Sequence, residues 1–172
     1  MIKMKKLEDD WEECPICMEP TNFDAVMTQY WVCCGQKMCG KCGTDYQPTR
    51  KGELKSCPFC RHPLMCANEA KYQSQLLKWC EKGKAWAQTI LGDRYNRGEY
   101  YIGKHIEKAI YYLELAAAQG QHLALYNLGD LYLFGNGEQL MDYEKALHYF
   151  KLAARVVIYC LMIALRLCMR MV

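Results

Sequence analysis

Eight of the chain's 12 cysteines lie between Cys14 and Cys60, and their spacing is the first sign of chemistry. Three pairs are two residues apart: Cys14-Pro-Ile-Cys17, Cys39-Gly-Lys-Cys42 and Cys57-Pro-Phe-Cys60. The fourth pair, Cys33-Cys34, is adjacent. A C-x-x-C turn brings two thiolates to one ion, with backbone N–H groups free to bond the sulfurs. Four thiolates close a tetrahedral zinc site, so eight make two closed sites with no position open for a reactive water. The zinc expected here is therefore structural. Disulfides are the competing use of paired cysteines. The N-terminal MIKMKKLEDDWEE has no apolar stretch that would serve as a secretion signal. That points to an intracellular protein of the cytoplasm or nucleus, where disulfides do not persist and metal is the better use of the thiols. Redox chemistry at one C-x-x-C calls for a βαβ setting, which the sequence lacks.

Four pairs along a chain can be wired in order or interleaved, and spacing leaves both open. The segments CPICMEP, CCGQKMCGKC and CPFCR, within about residues 11–66, resemble a RING finger of the all-cysteine type. The resemblance implies a small cross-brace fold with little regular structure. In it Cys14, Cys17, Cys39 and Cys42 hold one zinc, and Cys33, Cys34, Cys57 and Cys60 hold the other, two Zn2+ in all. One departure stands out. RING fingers usually separate their third and fourth ligands, and counted from Cys34 the usual histidine position falls on Gln36, a poor ligand. Either both neighbours bind one ion in an unusual turn or one is spare; completing a four-ligand site favours the first. A phosphoinositide-binding FYVE finger also has four cysteine pairs, but QYWVC stands where its basic run would be.

RING fingers act by holding a ubiquitin-charged conjugating enzyme in a reactive pose, a positioning effect that uses no RING nucleophile. The resemblance places conjugating-enzyme contacts at Ile16 and Pro58. It gives Arg61 a bridging role that suits a planar guanidinium. Each also has an ordinary reading: Ile16 in the small core, Pro58 shaping its turn, Arg61 solvated. Many active members carry a large apolar residue in a short helix between the sixth and seventh ligands. Here that segment is GTDYQPTRKGELKS, with only Tyr46 and Leu54 as candidates. A ubiquitin ligase or ligase subunit is thus one reading, and a non-catalytic interaction scaffold is the alternative.

The cysteines must be placed by something, and the rest of the chain is of a different kind. Its 172 residues and net charge of +3 allow two small modules. Residues 1–66 carry nine basic and nine acidic side chains, and 67–172 carry thirteen and ten, too balanced for nucleic acid as the partner. From about residue 68, prolines vanish and a self-similarity at an offset of 37 appears. ILGDRYNRG at 90–98 returns as NLGDLYLFG at 127–135, and EKAIYYLELAA at 107–117 returns as EKALHYFKLAA at 144–154. Helical spacing predicts one helix near 84–96 and another near 106–119, with Gly120 supplying a left-handed turn. The pattern resembles the Sel-like repeat, a relative of the tetratricopeptide repeat. It implies an all-α solenoid of antiparallel helix pairs that binds a protein substrate or adaptor. His105, His122 and His148 read as surface or packing residues, and Tyr100, Tyr101 and Tyr111 as a candidate peptide-binding face.

The organisation expected is an N-terminal tail at 1–13, a RING-type finger at 14–66, and a capping helix and linker at 67–83. Two repeats at 84–155 and an apolar extension at 156–172 follow. The extension reads as an overlong last helix, a membrane tail anchor or an altered chain end. A spanning helix needs about 20 apolar residues, and a central arginine costs about 2.5–3.5 kcal/mol, so Arg166 argues against a simple span. Cys66, Cys80, Cys160 and Cys168 belong to no pair and read as buried thiols.

Overall fold

The computed structural model describes residues 13–18, 29–45, 56–62, 69–98, 103–135 and 141–155. They fall into two units that divide between Trp79 and Cys80.

Among its described residues the cysteine-rich unit has one short strand pair, one short helix and most of a longer one. Strand β1, Gln29–Tyr30, pairs antiparallel with β2, Lys37–Met38, in the register Gln29 to Met38 and Tyr30 to Lys37. The turn between them contains Cys33 and Cys34. Helix α1, Gly40–Asp45, follows directly. The core here is Met38 with Cys14, Cys39 and Cys42, flanked by half-buried Ile16, Cys17, Trp31 and Phe59. Val32, Cys57 and Leu76 are buried too, and among the described residues the buried set of this unit is small. Helix α2 spans Glu69–Glu81 within the stretch read as a capping helix and linker. The division between the units falls inside this helix, and Glu69–Trp79 go with the cysteines.

The second unit is helical: α3 at Ala85–Arg97, α4 at Ile106–Ala118, α5 at His122–Phe134, and α6 over residues 143–155. Helix α3 packs on α4 and α4 on α5, and α5 meets α6 where Tyr132 stacks on Tyr149. Lys84, His105 and Gln121 precede α3, α4 and α5 without a side-chain cap, so packing rather than capping holds these helices. Helix α6 differs, because Asp142 Oδ1 accepts the Lys145 N–H at 2.9 Å.

The 37-residue offset reappears as repeated contacts. Tyr95 stacks on Tyr112 at 5.9 Å and 6°, and Tyr132 stacks on Tyr149 at 5.7 Å and 7°. Lys108 Nζ lies 5.4 Å over Tyr95, and Lys145 Nζ lies 5.2 Å over Tyr132. The His105 N–H donates to the Tyr95 carbonyl at 3.0 Å, as Asp142 does to Tyr132 at 2.9 Å. Each pair of helices is closed by the same device: a glycine where the partner helix comes nearest. A Cβ on Gly92 would lie 2.7 Å from Leu113 Cγ, and one on Gly129 would lie 2.6 Å from Phe150 Cε1. One core runs through both repeats, from Ile106, Leu113 and Leu125 to Leu128, Ala146 and Ala153. Gly120 has the expected left-handed backbone, φ +85°. Among the described residues no helix is long and apolar enough to cross a membrane; the extension at 156–172 lies outside them.

Candidate metal centres

The eight cysteines form two groups, Cys14, Cys17, Cys39 and Cys42 in one and Cys33, Cys34, Cys57 and Cys60 in the other. Within each group the four sulfurs lie within 4.8 Å of one another. This interleaved grouping is the one the RING resemblance implies. It includes both adjacent cysteines.

Local turns aim most of the sulfurs. The Met18 N–H donates to the Cys14 carbonyl at 2.8 Å, and Gly43 does the same to Cys39 at 2.8 Å. The Cys42 N–H points at Cys39 Sγ, 3.5 Å away. In the third C-x-x-C, Arg61 N–H donates to the Cys57 carbonyl at 2.9 Å and Cys57 N–H to the His62 carbonyl at 2.8 Å. These bonds put Arg61 at φ +56°, a left-handed backbone that a non-glycine residue seldom takes.

The sulfur spacings test whether metal fits. Cys17 and Cys39 sulfurs are 3.7 Å apart, Cys34 and Cys57 3.8 Å, and Cys33 and Cys60 3.6 Å. A disulfide needs about 2.05 Å. A zinc–sulfur bond of about 2.3 Å gives a tetrahedron with sulfur–sulfur edges of about 3.8 Å. The groups thus have the donor number and the spacing of four-thiolate metal sites, and all eight cysteines are free thiols.

Their ionisation agrees. Burial pushes Cys14 up, but N–H bonds from Cys17, Cys39 and Ile16 outweigh it and bring the thiol down to about 6. Burial and the thiols of Cys39, Cys17 and Cys14 push Cys42 well above the usual thiol range. In the second group burial raises Cys33 strongly, helped by Cys57 and Cys60, and raises Cys34 to about 11. Cys60 is lowered: burial opposes this, but the His62 N–H and the neighbouring thiols prevail. In the first group, then, Cys14 is lowered while Cys42 is raised, and in the second Cys60 is lowered while Cys33 and Cys34 are raised. A bound cation removes that conflict, because it stabilises all four thiolates together. The groups differ in exposure: the first has three buried sulfur residues and one half-buried, whereas the second has only Cys57 buried and ends in exposed Cys60.

The other residues singled out in the sequence are more scattered. Ile16 is half-buried against the Cys14–Met38 core, Pro58 is half-buried, and Arg61 is exposed. Tyr46 and Leu54 lie outside the described residues, as do Cys66, Tyr100, Tyr101, Cys160 and Cys168. Cys80 is buried, and burial pushes its thiol to about 12. His105 packs edge-on to Tyr95 and His148 to Tyr149, as packing residues do, and His122 is half-buried. Tyr111 is 58% exposed, with Tyr112 edge-on to it. Among the described residues no further set of His, Cys, Asp or Glu gathers as the cysteines do. Sequence reasoning missed Trp79, whose indole N–H donates to the Val32 carbonyl at 2.7 Å. A contact across 47 residues leaves no mark in local spacing.

The chain has no match among curated proteins or solved structures. Two stretches of it, residues 87–121 and 122–155, match the family model of the Sel1 repeat.

Proposed function

We propose that the chain is a zinc-binding RING-type protein that acts as a ubiquitin ligase or ligase subunit. The observation that carries the reading is the pair of interleaved four-thiol groups with tetrahedral sulfur spacing. Zinc bound there would supply cross-links between the loops, and no water position at which to react. The protein's own contribution is a docking surface for a charged conjugating enzyme. Ile16 and Pro58 would offer apolar contact. Arg61 is held at the mouth of the third C-x-x-C turn by the Cys57 and His62 bonds, with its guanidinium left to solvent. The Sel1 repeats, as protein-interaction modules, would hold a substrate or adaptor. The finger then lowers the barrier by orientation alone.

The test is ubiquitin discharge to free lysine from a panel of charged conjugating enzymes, with protein verified to carry two zinc ions. Acceleration is expected with at least one. Arg61→Ala should cut it by about 10-fold or more at unchanged zinc content, the scale of losing hydrogen bonds to a charged group. Equal discharge by variant and wild type would remove Arg61 from the mechanism. A second reading, a non-catalytic scaffold, is favoured by the segment between Cys42 and Cys57, GTDYQPTRKGELKS, in which only Tyr46 and Leu54 are candidates for the large apolar residue of active members. No acceleration across the panel with both ions bound would select it.

A further inference from the structure

The adjacency of Cys33 and Cys34 is a geometric problem. Successive residues of an extended chain point to opposite sides, so two neighbouring sulfurs reach one ion only where the backbone bends sharply. The bend is the turn from Trp31 to Gly35. The N–H groups of Cys34 and Gly35 both donate to the Trp31 carbonyl, at 3.1 and 2.7 Å, and Trp31 N–H donates to the Gln36 carbonyl at 2.9 Å. Gly35 takes a left-handed backbone, φ +72°, that a side chain would disfavour.

This turn is also gripped from outside the finger. Trp79 of α2 donates its indole N–H to the Val32 carbonyl, the residue just before Cys33. Its ring closes on Gly35, the residue just after Cys34: a Cβ there would lie 2.8 Å from both Cη2 and Cζ2. One side chain thus holds both ends of the Cys33-Cys34 dipeptide. The first group has no adjacent pair, and its C-x-x-C turns close on their own backbone.

We propose that Trp79 is a positioning residue of the second metal site, holding the Val32–Gly35 turn so that Cys33 and Cys34 face one ion. The site therefore extends beyond the cysteine motif, and residues 14–62 alone make an incomplete version of it. This rests on the reading of the two groups as metal sites.

The test uses the full chain loaded with 113Cd in place of zinc. Two resonances of four-thiolate type are expected, and Cys60→Ser, which alters one ligand, identifies the second site. Trp79→Phe keeps a ring against Gly35 but loses the N–H donor. It should retain both ions, shift the second-site resonance, and speed release from that site to a chelator by about 2- to 10-fold, the value of one net hydrogen bond. Release from the first site should not change. In parallel, 5-fluorotryptophan in otherwise wild-type protein gives a 19F signal for Trp79, assigned by elimination from variants that replace Trp11, Trp31 and Trp86 one at a time. That signal should move in step with emptying of the second site, and it supplies the test if the variant fails to fold. Wild-type release at both sites in Trp79→Phe, or a 19F signal that ignores the second ion, overturns the proposal and leaves the metal reading standing. No cadmium uptake by wild type overturns the metal reading, and the proposal with it.

Discussion

Gly92→Ala should destabilise the repeats, although it places the best helix former in the middle of α3. Propensity alone would favour alanine by about 1 kcal/mol. The new methyl would sit 2.7 Å from Leu113 Cγ, 3.0 Å from Leu113 Cδ2 and 3.2 Å from the Ala109 carbonyl oxygen. Leu113 is fully buried and the carbonyl is part of α4, so neither has room to withdraw. Overpacking of this kind costs about 1–3 kcal/mol, so the net loss should be about 1 kcal/mol. For a unit of this size that is a fall of about 4–8 °C in the thermal midpoint. The readout is far-ultraviolet circular dichroism on heating. A double-mutant cycle with Leu113→Ala isolates the contact. Leu113→Ala alone should cost about 2–5 kcal/mol, and less in the Gly92→Ala background, where the lost side chain was already in conflict. Gly129→Ala should be milder, since Phe150 is only half-buried and its ring can turn outward. A midpoint for Gly92→Ala equal to or above wild type would refute the close-approach reasoning.

Asp142→Asn should lower the stability of α6 and flatten its acid dependence. The Lys145 N–H, then the Lys145 ammonium, hold the Asp142 carboxyl below its usual range, so its contribution is present above the ordinary carboxylate value and lost as pH falls through the depressed one. Thermal midpoints of wild type and variant should differ at neutral pH and converge at strongly acid pH; a constant gap would contradict the capping bond. Two metal ions per chain are expected by elemental analysis, and both should be released as pH falls, because every ligand is a thiolate for which protons compete. A chromogenic chelator follows that release, and pH-independent retention would exclude the cysteines as ligands.

How far the sequence could be read depended on whether a feature was periodic. The repeats recur at a fixed offset, so the sequence alone pairs the segments that hold these glycines, tyrosines and lysines, but not the contacts they make. The structure places Tyr95, Tyr112, Tyr132 and Tyr149 in two stacks. The cysteine pairs were equally plain, because a two-residue gap has few uses. Adjacent Cys33 and Cys34 were harder. The restraint proposed to bend them comes from Trp79, which lies in the stretch expected as a capping helix and linker. A lone tryptophan in an amphipathic helix carries no sign of the distant carbonyl it will bond. The two repeats also differ where their sequences do: Ile106 is buried, whereas its counterpart Tyr143 is 64% exposed.

The interleaving of the two cysteine groups has a consequence in time. A ribosome delivers residues from the N-terminus, and all four sulfurs of the first group exist once Cys42 has been made. Cys33 and Cys34 by then have been synthesised as well, but their partners Cys57 and Cys60 have not, and Trp79 comes later still. For that interval the nascent chain carries one complete group and two adjacent thiols without their site. Those thiols are open to oxidation or to the wrong metal until the rest arrives. The order of synthesis, and not affinity alone, makes the second group the vulnerable one.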